Sequence, residues 1–599
     1  MISGKTTRGL FQNTTRGIQW RSSSIRSVKS YRSYSSNSGT TTSVSGSIWK
    51  YVVGLGAGIV ISKGYTLYES KNATHNSNED ASTTPLSQLD TPEYANEKDF
   101  QFAVKLISEI VGQDRISTDE EHLKSHSDSF FSTHHPPNPE IQKPGIVVSP
   151  SSTEEVAEIM KIAHKYRVPI VPSSGLTSLE GHYIHTRGPR TISLSFSSMD
   201  KILEFHPDDL DVVLQPGVGW QDLDAYLLSR EDGKHLMFGP DPGPGAQIGG
   251  MVASSCSGTN AYKYGTMKEN VINLTVVLAD GTIVKTKQRP RKSSAGYDTT
   301  RLFIGSEGTL GIITEATVKL HVRSKQEFVS IASFPSIADA AATASEVISK
   351  SGLHPNAIEI LDSTTVSFVN SRGDSKLFDE APTLFFKLGG ATKESIDEQV
   401  SLISKIAKKN NLIKFESSSN EDENAVLWAA RRNGLWSTIE YGAKILEDKE
   451  DVNVWTTDVA VPISNLTAMI KETNDDLNNS GFHKKFSVMG HIGDGNCHFL
   501  LLYNSKDYGK AQVLVDRMVH RALKYEGTCT GEHGVGIGKR KYLDSELGTS
   551  TIDLMRHLKL SLDPRRILNP DKVIKIDRND DLDEQLDSGH IIEAKACCH

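Results

Sequence analysis

Cysteine is scarce in these 599 residues, and the five present (Cys256, Cys497, Cys529, Cys597 and Cys598) never form a Cys-x-x-Cys pair. That spacing excludes a zinc knuckle and a disulfide framework, and Cys597-Cys598-His599 reads as part of a disordered end. Concentrated positive charge is also missing. The net charge is -8, with no clustered basic face of the kind nucleic acid requires. Carboxylates are absent ahead of Glu69. The apolar and glycine stretch Tyr51 to Ser62 is short against the ~20 residues of a spanning helix.

The acid-free start carries Lys5, Arg8, Arg16, Arg21, Arg26, Lys29 and Arg32 among serines and threonines. This is the composition of a mitochondrial transit peptide, placed at 1–46. Residues 47–68 read as a single membrane anchor. Lys50 and Lys63 bound the apolar heart and could snorkel, and Trp49, Tyr51, Tyr65 and Tyr68 suit the two interfaces. The Gly54-to-Gly58 run lacks the strand-turn-helix context of a nucleotide loop. Residues 69–98 read as a polar tether, and 576–599 as a disordered tail. A length of 599 residues implies two or three domains, and 37% hydrophobic with 23% charged residues fits a soluble globular body.

From Phe100 the pattern becomes regular. Apolar spacing predicts a helix over Phe100 to Val111, Gly145 to Val148 a strand, and Ser152 the N-cap of a helix running to Tyr166. The strand Val168 to Val171 leads into Pro172 to Gly181, a small-residue loop whose backbone N–H groups could surround a pyrophosphate. Strands follow at Thr191 to Phe196, Ile202 to Phe205 and Asp211 to Gln215. Glycine and proline then crowd Phe238 to Gly265, which implies close approach of backbone to something flat and polar. A hairpin (Val271 to Ala279, Asp280-Gly281, Thr282 to Thr286) and a Gly loop, Ile304 to Gly311, precede the strand Ile312 to Leu320. Beyond Glu327, helical patterns (Ile337 to Ser351, Glu394 to Asn410) alternate with strands such as Thr383 to Leu388. That predicts an antiparallel sheet with helices on one face.

Gly490 to His498 reads as a strand end, a Gly-rich turn and a second strand, with His491 and His498 bracketing the turn. The two imidazoles are either turn polarity or converging metal ligands. The second Gly-rich run, Gly531 to Gly538, adds a carboxylate-imidazole pair, Glu532-His533.

These segments together carry a resemblance. Phe238 to Gly245, Cys256 to Ala261, Lys292 to Tyr297, Gly305 to Gly311, Gly490 to His498 and Gly531 to Gly534 stand in the order found in FAD-dependent oxidases of the vanillyl-alcohol oxidase type. Residues 140–322 resemble the PCMH-type FAD-binding domain of that superfamily, and 325–575 its FAD-linked oxidase C-terminal domain. The implied fold is α+β: a two-subdomain flavin domain, then an antiparallel-sheet substrate domain whose C-terminal segment returns to the first. In the flavin domain the resemblance assigns Pro172, Ser174, Gly175, Thr177, Ser178 and Leu179 to one wall. Pro240, Gly243, Ile248, Gly249, Gly250, Gly258, Thr259, Asn260, Tyr264 and Gly265 make the second wall. Glu307, Gly308, Gly311 and Ile312 make the adenine side, Asn496 bonds the flavin ring, and Asn569 closes the site. The family has a second glycine where Leu176 stands, and a glycine where Asp571 stands. If position 176 needs positive φ, leucine is strained there. Thr177 occupies the place of the tethering histidine of covalent relatives, so FAD is expected to be non-covalent.

The resemblance further implies His491, His498 and Glu532 as ligands of a divalent metal (zinc, manganese or iron) and His533 as general base. Arg431 would be the carboxylate-binding arginine, with Arg432 beside it leaving open which of the two faces substrate. It implies hydride transfer from D-lactate or a similar D-2-hydroxy acid to flavin. Electrons would pass to cytochrome c from the intermembrane-space face of the mitochondrial inner membrane. Two rivals are a D-2-hydroxyglutarate dehydrogenase, whose lysine near Thr456 is missing here, and a flavin-free, membrane-anchored scaffold.

Overall fold

The computed structural model describes residues 81–129, 132–373 and 376–587. The transit peptide and anchor expected at 1–46 and 47–68, and the end of the tail from 588, lie outside the described residues.

The first sheet grows from a parallel unit. Ile146–Val148 and Ile170–Ser173 flank Ile192–Ser195, all three parallel, and Ile116–Ser117 adds an antiparallel edge. The crossover helix Thr153–Tyr166 starts where the Ser152 hydroxyl accepts the Glu155 N–H at 3.2 Å. Arg167 in the left-handed region ends it. Its buried face (Val156, Ala157, Ile159, Met160, Ala163) meets that of Glu97–Val111 (Phe100, Ala103, Ile107, Val111) in one core with the sheet. The second sheet is antiparallel and built on the long strand Ile312–Val322, which pairs with Asp211–Leu214, Val271–Val277 and Leu236–Phe238. Val271–Val277 is buried at every position.

The third sheet is antiparallel, in the order Lys414–Ser417, Gln326–Ser333, Thr383–Gly390, Ala357–Leu361, Phe486–Gly490, Asn496–Tyr503, Asn453–Thr456. The sequence predicts helices on one face only, but apolar side chains of both parities are buried. Phe328, Ile358, Ile360, Leu384 and Phe386 join the core that includes Ala340, Ile403, Met469 and Met518 from four helices. Val329, Ile331, Ala357, Leu361 and Phe385 join the core of Leu427, Trp428 and Ala430. Strands apolar on both faces need cover on both.

Two expected boundaries move. The tether predicted at 69–98 is docked from residue 81 on: Thr84 N–H donates to Asp553 O (3.0 Å), Ala95 N–H to Arg167 O (3.0 Å), and Tyr94 Oη–H to Arg566 O (2.9 Å). The tail predicted from 576 is folded through Asp587. Ile576, Asp577 and Leu582 are buried, and Leu582–Asp587 is helical. Ion pairs hold the C-terminal strap, residues 567–587: Arg540 to Asp580 (2.7 Å) and Asp583 (2.7 Å), and Arg187 to Asp577 (3.1 Å).

The strap also closes the first sheet. Ile170 N–H donates to Ile567 O and Asn569 N–H to Ile170 O, each at 2.8 Å. Asp571, in the family's glycine position, has φ 66°. Its carboxylate takes Arg187 Nε at 2.7 Å and Thr186 Oγ1 at 2.7 Å, and these bonds offset the strain. Replacing Arg187 with Met leaves two buried carboxylates without their partner. It is expected to cost about 3 kcal/mol of stability, read as a lowered thermal midpoint.

Candidate active site

Loops from all three sheets line a cavity of about 590 Å³. Its first wall is the turn leaving Ile170–Ser173: Pro172, Ser174, Gly175, Thr177, Ser178 and Leu179 all line the space. Ser174 Oγ–H is held by Gln247 Oε1 (2.8 Å) and Pro216 O (3.0 Å), which ties this wall to the second. Leu176 has φ 53°, so the left-handed conformation is required where the family has glycine, and leucine adopts it against its preference. The Tyr183 hydroxyl donates to Leu176 O at 3.3 Å and holds the turn.

The second wall brings Gly243, Gly249, Gly250, Gly258 and Thr259 to the cavity. An added Cβ at Gly243 would meet no atom within 4 Å, and one at Gly250 only Ser174 Cβ at 3.7 Å. At Gly258 (φ 143°) it would strike Asp241 at 2.6 Å. A cradle of bare backbone around open space fits a flat cofactor with a diphosphate, as FAD is. Five residues assigned to this wall do not line the cavity. Ile248 is buried in the core, Tyr264 packs on the His321 ring (4.8 Å between centroids), and the Gly265 N–H closes a short helix on Ala261 O. Asn260 N–H donates to Asp241 Oδ1 at 2.8 Å, and Pro240 stands next to that aspartate. They shape the loop without facing the space.

Glu307, Gly308, Gly311 and Ile312 line the third wall. Glu307 also anchors a distant loop. Its carboxylate accepts Val535 N–H (2.6 Å) and Gly536 N–H (2.8 Å), fastening the Gly531-to-Gly538 run to the flavin domain. Asn569 reaches the cavity and donates to Glu307 O (2.7 Å) and His182 O (3.1 Å).

At the other end stand His491, His498, Glu532, His533 and Arg431. Phe486–Gly490 and Asn496–Tyr503 pair with Met489 opposite His498, and a turn through Ile492–Asp494 with Gly495 at φ 73° places His491 beside it. The Nε2 atoms of His491 and His498 lie 3.0 and 3.2 Å from the same oxygen, Glu532 Oε1. His498 Nδ1 lies 3.0 Å from Thr457 O, a carbonyl, so it carries the hydrogen and Nε2 bears a lone pair. His491 Nδ1 likewise faces Glu359 Oε1 at 2.8 Å. Two lone pairs aimed at a carboxylate oxygen repel unless a cation lies between them. Protons or a divalent ion satisfy the set, and the ligand types suit zinc, manganese or iron. Without an ion, burial opposes charge on His491, but the Glu359 and Glu532 carboxylates outweigh it and hold the imidazole well above its ordinary value. Burial opposes charge on Glu532 too, and His491 and His498 outweigh that and hold it well below.

His533 stacks on His498 with 5.2 Å between centroids and 7° between planes. Burial would lower its pKa, but Asp458, Glu180 and Glu532 together raise it above the ordinary value. Arg431 is half-buried and its Nε donates to Glu359 Oε2 at 2.7 Å, whereas Arg432 is exposed and away from the cavity.

Asn496 does not line the cavity. Its Nδ2 donates to Asp458 Oδ1 (2.7 Å) and Val459 O (3.2 Å), so its amide supports Asp458. Asp458 itself is a residue the sequence reasoning passed over. One oxygen, Oδ2, accepts the N–H groups of Gly531 (2.7 Å), Glu532 (2.8 Å) and His533 (2.9 Å). Glu359 was also missed, although a carboxylate in the all-buried strand Ala357–Leu361 was a usable signal. Glu180, fully buried behind His533, is the third.

A flavin cradle opening onto a histidine–carboxylate cluster defines the class of FAD-dependent oxidoreductases. Residues 144–287 match the family profile "FAD binding domain", and residues 323–573 match "FAD linked oxidases, C-terminal domain". The protein of Kluyveromyces lactis named D-lactate dehydrogenase [cytochrome], mitochondrial, is 48% identical over 87% of this chain and 90% of its own length. D-lactate dehydrogenase [cytochrome] 1, mitochondrial, of Saccharomyces cerevisiae is 49% identical over 83% and 84%. The fold is also that of an alkyldihydroxyacetonephosphate synthase (TM-score 0.60, 20% identity, 83% of this chain and 90% of that one). A p-cresol methylhydroxylase shares it too (TM-score 0.63, 16% identity, 82% and 99%). The chain belongs to the FAD-linked oxidase family.

The left-handed Leu176 gives a direct check. Leu176→Gly removes a conformational cost of about 1 kcal/mol from the first wall. The variant is expected to retain flavin more tightly through dilution and gel filtration than the parent does.

Proposed function

We propose that this protein oxidises D-lactate to pyruvate with FAD and passes the electrons to cytochrome c in the mitochondrion. The single observation that carries the substrate class is the cavity's charge. Among the described lining residues the one Lys or Arg is Arg431, placed with His491, His498, Glu532 and His533. One guanidinium suits one carboxylate. A second carboxylate, as in 2-hydroxyglutarate, would find no cation: Thr456 lines that part, beside Met489 and Leu500. The relatives' names give D-lactate, a cytochrome and the mitochondrion.

Bound FAD supplies a two-electron acceptor, and a divalent ion held by His491, His498 and Glu532 supplies a Lewis acid. The rest is the work of the chain. Arg431, its plane held by Glu359, pairs with the substrate carboxylate. His533 takes the hydroxyl proton through the imidazole edge that faces the cavity. Thr177 offers no nucleophile of the tethering kind, so FAD is held by contact alone. Among the described residues no helix is long and apolar enough to cross a membrane. An inner-membrane anchor would therefore be the segment 47–68 expected from sequence.

The visible spectrum of the purified protein tests this reading. D-Lactate should bleach a flavin band anaerobically, with kcat/KM far above that for D-2-hydroxyglutarate; equal values, or no flavin at all, would sink the proposal. Acid precipitation should leave the yellow colour in the supernatant. His491→Ala and His498→Ala should each abolish turnover with flavin retained, and His533→Ala should lower kcat roughly 10²–10⁴-fold. Wild-type activity in either ligand variant would remove the metal from the assignment.

A further inference from the structure

Three buried carboxylates grip the Gly531-to-Gly538 loop, and two of them do so through its amides: Asp458 at Gly531 to His533 and Glu307 at Val535 and Gly536. Glu180 is the third. Its backbone O accepts Ile537 N–H at 2.9 Å, but neither side-chain oxygen is hydrogen-bonded to an amide, although the side chain is fully buried. The loop is moulded around it. An added Cβ at Gly536 would run into the Glu180 backbone, and one at Gly538 would run into the His134 ring and stand 2.7 Å from Glu180 Oε2.

What faces the Glu180 carboxylate is cationic or protonatable. His134 Nε2 lies 3.2 Å from Oε2, while Lys539 Nζ and His533 Nδ1 each lie 3.7 Å from Oε1. Lys539 also donates to Cys529 O at 2.9 Å and keeps a further N–H for the carboxylate, to which it is a counter-charge. His533 Nδ1 is buried with no hydrogen-bond partner, just beyond reach of an oxygen that also has none. A buried N–H and a buried carboxylate oxygen left facing each other favour a bond between them, since each alone is costly.

We propose that Glu180 is a positioning residue for His533. By accepting the Nδ1 hydrogen it fixes the tautomer and ring plane so that the Nε2 lone pair meets the substrate hydroxyl. The same logic holds an imidazole in other acid–base pairs, where loss of the carboxylate leaves the wrong nitrogen protonated. The stack on His498 restrains the ring's plane but cannot choose its tautomer. The inference rests on the reading of His533 as the proton acceptor.

The test uses the full-length holoenzyme. Glu180→Gln should keep the flavin spectrum and KM, lower kcat roughly 10–100-fold, and raise the solvent deuterium isotope effect on anaerobic flavin reduction. In a His533→Ala background the same change should cost nothing further, because its only route to the reaction is gone. Wild-type kcat for Glu180→Gln, or an equal loss in both backgrounds, overturns the proposal and leaves Glu180 as a counter-charge for Lys539. Should Glu180→Gln fail to fold, Glu180→Gln with Lys539→Met removes the pair together, and the same kcat loss at unchanged KM is expected. If His533→Ala itself is fully active, the failure lies in the base assignment, and the proposal falls with it.

Discussion

When the Oδ2 atom of Asp458 gathers the N–H groups of three successive residues, and the Thr530 hydroxyl besides at 2.8 Å, it sets the backbone from which Glu532 and His533 project. Burial opposes the charge, but His533, His498 and Lys539 hold the Asp458 carboxyl far below the ordinary carboxylate range. The charged form is the one those N–H groups favour. Its other oxygen takes the Asn496 amide, from the hairpin that carries His498. One carboxylate thus couples the two Gly-rich segments on which the proposed chemistry depends. Glu359 repeats the device on the opposite side, joining His491 to Arg431.

The legibility of this site follows from how local each feature is. The Gly490-to-His498 hairpin, the Pro172-to-Gly181 turn and the glycine crowding from Phe238 are written in contiguous residues, and the structure brings all three to one cavity. The resemblance placed Arg431, Glu532 and His533 there too. What escaped was the second layer. Asp458, Glu180 and Glu359 each act on residues far away in the chain, and no periodicity links an aspartate in Thr456-Thr-Asp-Val to an amide at Gly531. The Asn496 amide nitrogen likewise meets a residue that no local pattern marks. Helix cover on both faces of the third sheet was readable in Thr383-Leu-Phe-Phe, where both parities are apolar, but alternation of elements took precedence over alternation of side chains.

Two positions show how a glycine requirement is met without glycine. Leu176 and Asp571 both sit at positive φ. Asp571 turns the cost to use, because its side chain draws Arg187 and Thr186 onto the strap. Leu176 lines the cavity, and among the described residues the one side chain that donates to it is Tyr183, whose hydroxyl meets its carbonyl. Strain of one kind is therefore compensated at the strap and left standing at the flavin wall.

The bond from Asn569 to His182 O spans 387 residues, and it closes a wall that the first domain lacks by itself. Timing follows from that span. On a ribosome, or emerging from a translocation pore, the early α/β unit can assemble its sheets long before Leu568 arrives to sit beside Ile170. Until then the nascent wall lacks the bridge to Ile170 and the Asn569 amide that joins His182 O to Glu307 O.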